Sequence, residues 1–506
     1  MMFESLLSAL LVVFSWPNLS FLLAGAAFGF FVGVIPGLGG AVALALLIPL
    51  SFNLDVYPAV ILLIAAMGGV EFGGAISAIL FNAPGGPTNL ATALDGYPAT
   101  KAGRAGEAIG AAAMACVFGA LFGVGVVIAI MPVMRATVLA FGPPELFWLA
   151  IFGLTLLAAV AGRSLLLGLL VASFGFLLSF IGLNPVTGGY RFTFGNTILW
   201  DGLPLVAMVL GIFAVAELMH VAVHRATIAE QDVTSGTRGV GRGIVFCLRR
   251  WALCVRSSII GVLIGAIPGI GGSVSVFVAY AHAKKTSKSP ETFGTGNLEG
   301  VVAPESNNDA KDGGSLIPLF GLGIPGSVST AVLLGGLTIH GLNVGPRFLS
   351  DHLDIAYLIV IGLALSNIIV AGLGLSIVGL LTRLTKVPIG GLAPVLITLC
   401  LFGAYSLRFE IYDLMLTAVF GLIGYLMINA DLPRVPLILA LILAPIAEKN
   451  LHISMQISQW DPSILIMRPI SALLVIFIAW ILLVPPVWKY VRKRRAAARR
   501  QIVDGA

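Results

Sequence analysis

The residues of this chain best placed to do chemistry are glycines and prolines. Gly29-Phe-Phe-Val-Gly33-Val-Ile-Pro36-Gly37-Leu-Gly39-Gly40 recurs as Gly261-Val-Leu-Ile-Gly265-Ala-Ile-Pro268-Gly269-Ile-Gly271-Gly272 within apolar sequence. A Pro-Gly-x-Gly-Gly break frees backbone groups that lipid cannot satisfy, so it must line protein or a wet cavity. After each break an uncharged apolar run resumes, Ala41 to Leu50 and Ser273 to Ala281. A new helix therefore starts there, with unpaired N–H groups and the positive end of its dipole facing the break. Such helix starts bind anions, carboxylates included, and glycine lets a ligand approach the backbone closely. Packing or kinking would explain a single glycine, but gives no reason for a proline to repeat in register.

A second pair of breaks follows the first: Asn82-Ala-Pro84-Gly85-Gly86-Pro-Thr88-Asn89, and Gly323-Ile-Pro325-Gly326-Ser327-Val-Ser329-Thr330. The first pair is offset by 232 positions (268 − 36) and the second by 241 (325 − 84), which puts an insertion within the polar stretch Lys284 to Asp312. The ladder Gly25, Gly29, Gly33 maps onto Ser257, Gly261, Gly265, and small residues at every fourth position let membrane helices approach closely. Gly/Pro-interrupted segments at matching places in two halves point to the binding site of a secondary transporter. The expected site has backbone amides of Gly37 to Gly40, Gly85 to Gly86, Gly269 to Gly272 and Gly326 to Ser327 around an anion. Thr88, Asn89, Ser306, Asn307, Ser329 and Thr330 supply oxygens, and Pro36, Asn82, Pro268 and Pro325 shape the breaks.

Ionisable residues come next. Glu71 interrupts Ala65-Ala-Met-Gly-Gly-Val70 and Phe72-Gly-Gly-Ala-Ile76, and an acid at membrane depth is a functional candidate by default. It is expected to meet a coupling cation or carry a proton, unless it sits at a helix end in water. Pro304-Glu305-Ser306-Asn307-Asn308-Asp309-Ala-Lys311-Asp312 offers the hard oxygen ligands of Glu305, Asn308 and Asp309; an ordinary solvated loop is the alternative. His220 and His224 have i, i+4 spacing without a third ligand nearby, and Glu145, Asp201 and Glu217 suit helix ends. Cys116, Cys247, Cys254 and Cys400 show no metal-ligand spacing and are given no chemistry. There is no Gly-x-x-x-x-Gly-Lys-Ser/Thr phosphate loop, so an ion gradient or a partner must drive transport.

These residues need a membrane scaffold. The 506 residues are 58% hydrophobic and 10% charged, against roughly 25% charged in soluble domains. Stretches such as Ala108 to Met131, Leu165 to Leu183, Leu203 to Val223, Ile355 to Leu381 and Ile470 to Trp488 approach or reach the ~20 residues that span a bilayer. The expected fold is an all-α polytopic membrane protein of two pseudo-symmetric, inverted repeats, with broken or re-entrant helices and about ten to twelve hydrophobic elements. Residues 1–224 form the first repeat, 225–256 a basic linker, 257–488 the second repeat with C-terminal helices, and 489–506 a basic tail. Leu6 to Phe14 reads as a short first helix or half-helix, without the basic flank and cleavage site of a signal peptide. Ile244 to Val255 suits an interfacial helix or an extension of the next helix. Lys489 to Arg500 places the C-terminus in the cytoplasm by the positive-inside rule; it is a topogenic anchor, and no nucleic-acid partner is expected.

The stretch Gly25 to Gly40, Asn82 to Asn89, Leu94-Asp-Gly-Tyr-Pro98-Ala-Thr-Lys101-Ala-Gly103-Arg104-Ala-Gly106-Glu107-Ala108, Ile267 to Gly272, Glu305 to Asn308 and Gly323 to Ser327 resembles the TctA-like large membrane subunit of tripartite tricarboxylate transporters. The resemblance covers roughly residues 20 to 430. It implies a bacterial inner-membrane secondary transporter working with a small TctB-like membrane subunit and a periplasmic TctC-like solute-binding protein that delivers an organic carboxylate. It implies no cofactor beyond a coupling cation, Na⁺ ahead of H⁺, and leaves homodimerisation open. The rivals are an intramembrane enzyme using Glu71, Glu305 and Asp309, which predicts acids clustered on one cytoplasmic loop, and an anion channel.

Overall fold

The computed structural model describes residues 2–138, 141–160, 165–184, 186–223, 238–268, 271–384 and 389–483. Gly269, His224, residues 225–237 of the basic linker and the tail from Lys489 lie outside the described residues. The protein is an all-α polytopic membrane protein. Among the described residues, six helices are long and apolar enough to cross a bilayer, including Val56–Phe81, Ala105–Ala136 and Leu353–Ile377. Glu4–Phe14 and Asn18–Val34 form a further pair bent by 75°, so the N-terminal apolar run is the expected half-helix. Seven shorter apolar helices, including Gly40–Ser51, Trp251–Gly265 and Val328–Ile339, join them.

Two compact units group the helices by packing. One contains Met1–Val138 and Pro204–Ala430, the other Leu139–Leu203 and Asp431–Ala506. In the second unit, Pro143–Val160 and Leu165–Leu178 pack on Val435–Ile457. Its polar fastenings are buried Glu145, which accepts from Arg468 at 2.9 Å, Ser471 at 2.9 Å and the Gly142 amide at 2.9 Å, and the two-pronged Arg191–Glu448 pair at 2.6 and 3.0 Å. Glu145 thus has the helix-end role its position suggests.

The first unit is organised by two helices, Val56–Phe81, buried from Pro58 to Leu80, and Glu299–Leu322, buried from Glu299 to Leu316. Asn18–Val34 packs on the former because Gly25, Gly29 and Gly33 let its backbone touch the carbonyls of Leu62, Ala66 and Val70. Trp251–Gly265 packs on the latter through Gly261 and Gly265 against the carbonyls of Asn307 and Lys311. A methyl at Gly29 would lie 2.8 Å from Ala66 C, and one at Gly265 3.1 Å from Lys311 C. Apposition this close in a membrane comes from small residues.

Both buried helices stop at a left-handed residue, Asn82 (φ 55°) and Gly323 (φ 69°), 241 positions apart. The next helix in each case begins at an extended cap, Gly86 (φ −147°, ψ 174°) and Ser327 (φ −141°, ψ 170°), again 241 apart. The Glu305 to Asp312 stretch is not a solvated loop. It lies in the middle of the Glu299–Leu322 helix, which carries Pro304 and Pro318 and buries every residue from Glu299 to Leu316. Nor is the basic segment before it a single surface helix: Val240–Arg249 packs through Gly243 against the Glu107 carbonyl, and Trp251–Gly265 starts beyond Arg250.

Candidate functional site

The break of the first half is capped by no side chain. Gly37 is left-handed (φ 82°) and its amide donates to the Pro84 carbonyl at 3.4 Å. Gly39 is the N-cap of Gly40–Ser51, and only the third and fourth amides, of Val42 and Ala43, turn back to its carbonyl, at 3.0 and 3.3 Å. A Cβ built on Gly39 meets nothing within 4 Å, and one on Gly86 comes 3.7 Å from the Gly39 Cα. The two first-half breaks therefore lie within van der Waals reach of one another, with open space beside Gly39.

Each half reaches into the other. A Cβ on Gly40 would lie 2.5 Å from Ser329 Oγ of the second half, and one on Gly272 would lie 2.6 Å from Thr88 Cγ2 of the first. Gly272 is 232 positions beyond Gly40, and Ser329 is 241 beyond Thr88. The same Gly272 position is 2.9 Å from Lys311 Nζ, so the second-half break, Thr88 and a buried ammonium meet at one point.

Lys311 is 3% exposed, and its charge is answered by acids from both helices. Nζ stands 2.9 Å from Asp312 Oδ1, without hydrogen-bond alignment, and 3.6 Å from Glu71 Oε1. Glu71 Oε2 accepts from Thr88 Oγ1 at 2.7 Å and Asn308 Nδ2 at 2.8 Å, and its carbonyl accepts from Asn89 Nδ2 at 3.0 Å. Beside this group, Glu305 accepts from Thr92 and, at 3.2 Å, from the Cys116 thiol. Ligand atoms of Cys116, Glu305 and Asp309 all lie within 4.8 Å of one another. Glu71, Glu305, Asp309 and Asp312, at most 5% exposed, face one ammonium. With every group ionised, the cluster lacks three positive charges, and buried charge of one sign is costly unless compensated.

Of the residues expected in the site, Gly39, Gly40, Gly86, Thr88, Asn89, Glu71, Gly272, Asn308 and Ser329 converge on this region. Pro36, Pro268, Pro325, Gly85 and Gly326 are buried behind it, Gly85 against Gly33 and Gly326 against Ser315; Gly271 starts its helix. Asn82 is an exposed C-cap. Ser327 and Thr330 form a capping box with one another, which occupies the Ser327 amide at 2.8 Å. Ser306 donates to the Val302 carbonyl, and Asn307 ties Ser275 at 2.7 Å to the Ser257 carbonyl at 3.0 Å. Lys311, Asp312, Thr92 and Cys116 were not singled out by spacing. Lys311 had one legible signal, a lysine between two aspartates twelve residues before the break at Gly323.

A chain of membrane helices, with broken segments from two halves closing on buried acids and a lysine, has the architecture of a transporter rather than of a soluble catalyst. The family profile of the tripartite tricarboxylate transporter TctA family matches residues 19–439, and the chain belongs to that family. It is 32% identical over 461 residues, 90% of each chain, to an uncharacterized 52.8 kDa protein in the TAR-I ttuC' 3' region of Agrobacterium vitis. It is also 32% identical over 212 residues to a protein in the TAR-II ttuC' 3' region of the same organism, covering 42% of this chain and 88% of the relative. No solved structure matches.

Proposed function

We propose that this chain is the large subunit through which a di- or tricarboxylate-type organic anion is imported across the bacterial inner membrane, driven by a cation gradient, Na⁺ ahead of H⁺. A TctB-like small membrane subunit and a TctC-like periplasmic binding protein complete the assembly, and the C-terminus is cytoplasmic. The observation that carries this reading is the meeting of Gly272, Thr88 and Lys311 Nζ beside Glu71. Backbone amides at the Gly39 and Gly272 helix starts and the Lys311 ammonium are the donors for substrate carboxylates. Ser329 and Thr88 hydroxyls serve the remainder of the substrate.

The two halves act as pseudo-symmetric, inverted repeats whose broken segments move as a body against the other helices to expose the site alternately. The recurrence of close contacts, caps and left-handed turns at 232 and 241 positions supports the duplication. Against the enzyme reading, Glu71, Glu305 and Asp309 lie on two buried helices instead of one loop.

The test is uptake of labelled carboxylates into proteoliposomes holding the chain with both partners. Saturable uptake that collapses with the Na⁺ gradient is expected. Because the space beside Gly39 is open, Gly39→Leu leaves the fold intact and abolishes uptake. Non-saturating flux without a co-ion means a channel, and unchanged uptake in Gly39→Leu removes the site.

A further inference from the structure

The acidic cluster separates into two parts with different bonding. The Glu71 carboxylate is engaged by Thr88, Asn308 and Lys311, and Asp312, whose own oxygens make no aligned hydrogen bond, has the Lys311 ammonium at 2.9 Å. Around Asp309 neither carboxylate oxygen has a hydrogen-bond partner, although the residue is 1% exposed. The Asn308 Oδ1 beside it is also unpartnered. A buried carboxylate left this way costs several kcal/mol unless a cation or proton joins it. Lys311 does not serve, since its ammonium is directed at Asp312 and Glu71.

We propose that Glu305 and Asp309 hold one dehydrated monovalent cation of the Na⁺ class, with Thr92 and Cys116 fixing the Glu305 carboxylate as positioning residues. The inference rests on the transporter reading above and narrows it: of the four candidates for the coupling ion, Glu305 and Asp309 are ligands, while Glu71 and Asn308 belong to the Lys311 group. The separation of the ligand atoms, all within 4.8 Å, suits one small ion. Zinc held by these three residues would take Cys116 as a thiolate, whereas the thiol keeps its proton in a hydrogen bond to Glu305. Calcium takes six to eight oxygens, more than two carboxylates provide.

The other half explains why there is one such site. Gly68 stands 241 positions before Asp309, and a side chain there would run into Ser366 Oγ and Asn367 Nδ2, neutral groups that already fill the space. A cation at Asp309 also gives the coupling a physical basis. It offsets part of the cluster's negative charge, so that an anionic substrate can approach Lys311.

The test is equilibrium binding of ²²Na⁺ to the purified chain with its partners in lipid nanodiscs, in N-methylglucamine buffer. A single saturable site is expected, with Asp309→Asn and Glu305→Gln each raising the half-saturating concentration more than about tenfold, the loss of one charged ligand. A second readout needs no variant at the site: Na⁺, but not choline, slows alkylation of Cys116 by a small membrane-permeant reagent on a chain whose Cys247, Cys254 and Cys400 are serine. Absence of saturable Na⁺ binding, wild-type binding in Asp309→Asn, or Cys116 reactivity indifferent to Na⁺ overturns the site. If carboxylate uptake persists while any of these occurs, only the cation site fails. If no carboxylate is carried, the transport reading fails and Na⁺ binding is judged separately.

Discussion

Val56–Phe81 and Glu299–Leu322 are the same piece of architecture with different side chains. Both are buried over most of their length, both are approached by a glycine-laddered helix, and both end in a left-handed residue followed by a broken segment. Yet the first carries a single acid, Glu71, while the second carries Glu305, Asn308, Asp309, Lys311 and Asp312. Positions 241 before Asn308, Asp309 and Lys311 are Met67, Gly68 and Val70; only Asp312 has an acidic counterpart, Glu71. Packing demands are repeated because both backbones must meet neighbours at the same distance. The chemistry is not repeated, as a single binding site of the kind proposed above requires.

The comparison is most exposed at Lys311. Lys311→Met removes the cation between Glu71 and Asp312, and breaking a buried ion pair from one side costs about 3–5 kcal/mol. Uptake in proteoliposomes should vanish and the melting temperature should fall. Adding Glu71→Gln and Asp312→Asn restores the melting temperature and leaves uptake absent. Uptake in the triple variant at wild-type rates would make Lys311 a structural counter-ion only.

Next in size are the packing glycines, where the halves should behave alike. Gly33→Ala sets a methyl 2.9 Å from the Val70 Cα, and Gly265→Ala sets one 3.1 Å from the Lys311 Cα. Each should destabilise by about 1–3 kcal/mol through overpacking, read as matched losses in thermal melts in lipid nanodiscs. Tolerance of one and not the other would break the equivalence of the two helix pairs. The smallest effect on uptake belongs to Thr92→Val, which deletes a hydroxyl donor to Glu305. A hydrogen bond to a charged group contributes about 1.5–3 kcal/mol, and its loss is expected to show as weaker Na⁺ dependence of uptake with maximal uptake retained.

The breaks were readable because Pro-Gly-x-Gly-Gly has few structural uses inside apolar sequence, and the glycine ladder because its period matches a helix face. The buried Glu299–Leu322 helix was not. Its hydropathy is that of a loop, and Asn308 Nδ2, Asn307 and Glu305 find their partners in Glu71, Ser275, Ser257 and Thr92 from remote parts of the chain. Cys116 and Thr92 lie in ordinary helical sequence, and only folding brings them to Glu305. Ser327 and Thr330 carry a sequence signature shared by ligand binding and helix capping, and the geometry spends them on a cap.

The central claim is that the open space beside Gly39 is where the proposed carboxylate binds. Its most direct test is a cysteine at Gly39 on a cysteine-free background, labelled in the reconstituted assembly with a hydrophilic thiol reagent. The account predicts ready labelling, slowed in a saturable manner by the transported acid and unaffected by an uncharged analogue. A cysteine there that never reacts, or that reacts at the same rate with and without the transported acid, contradicts it.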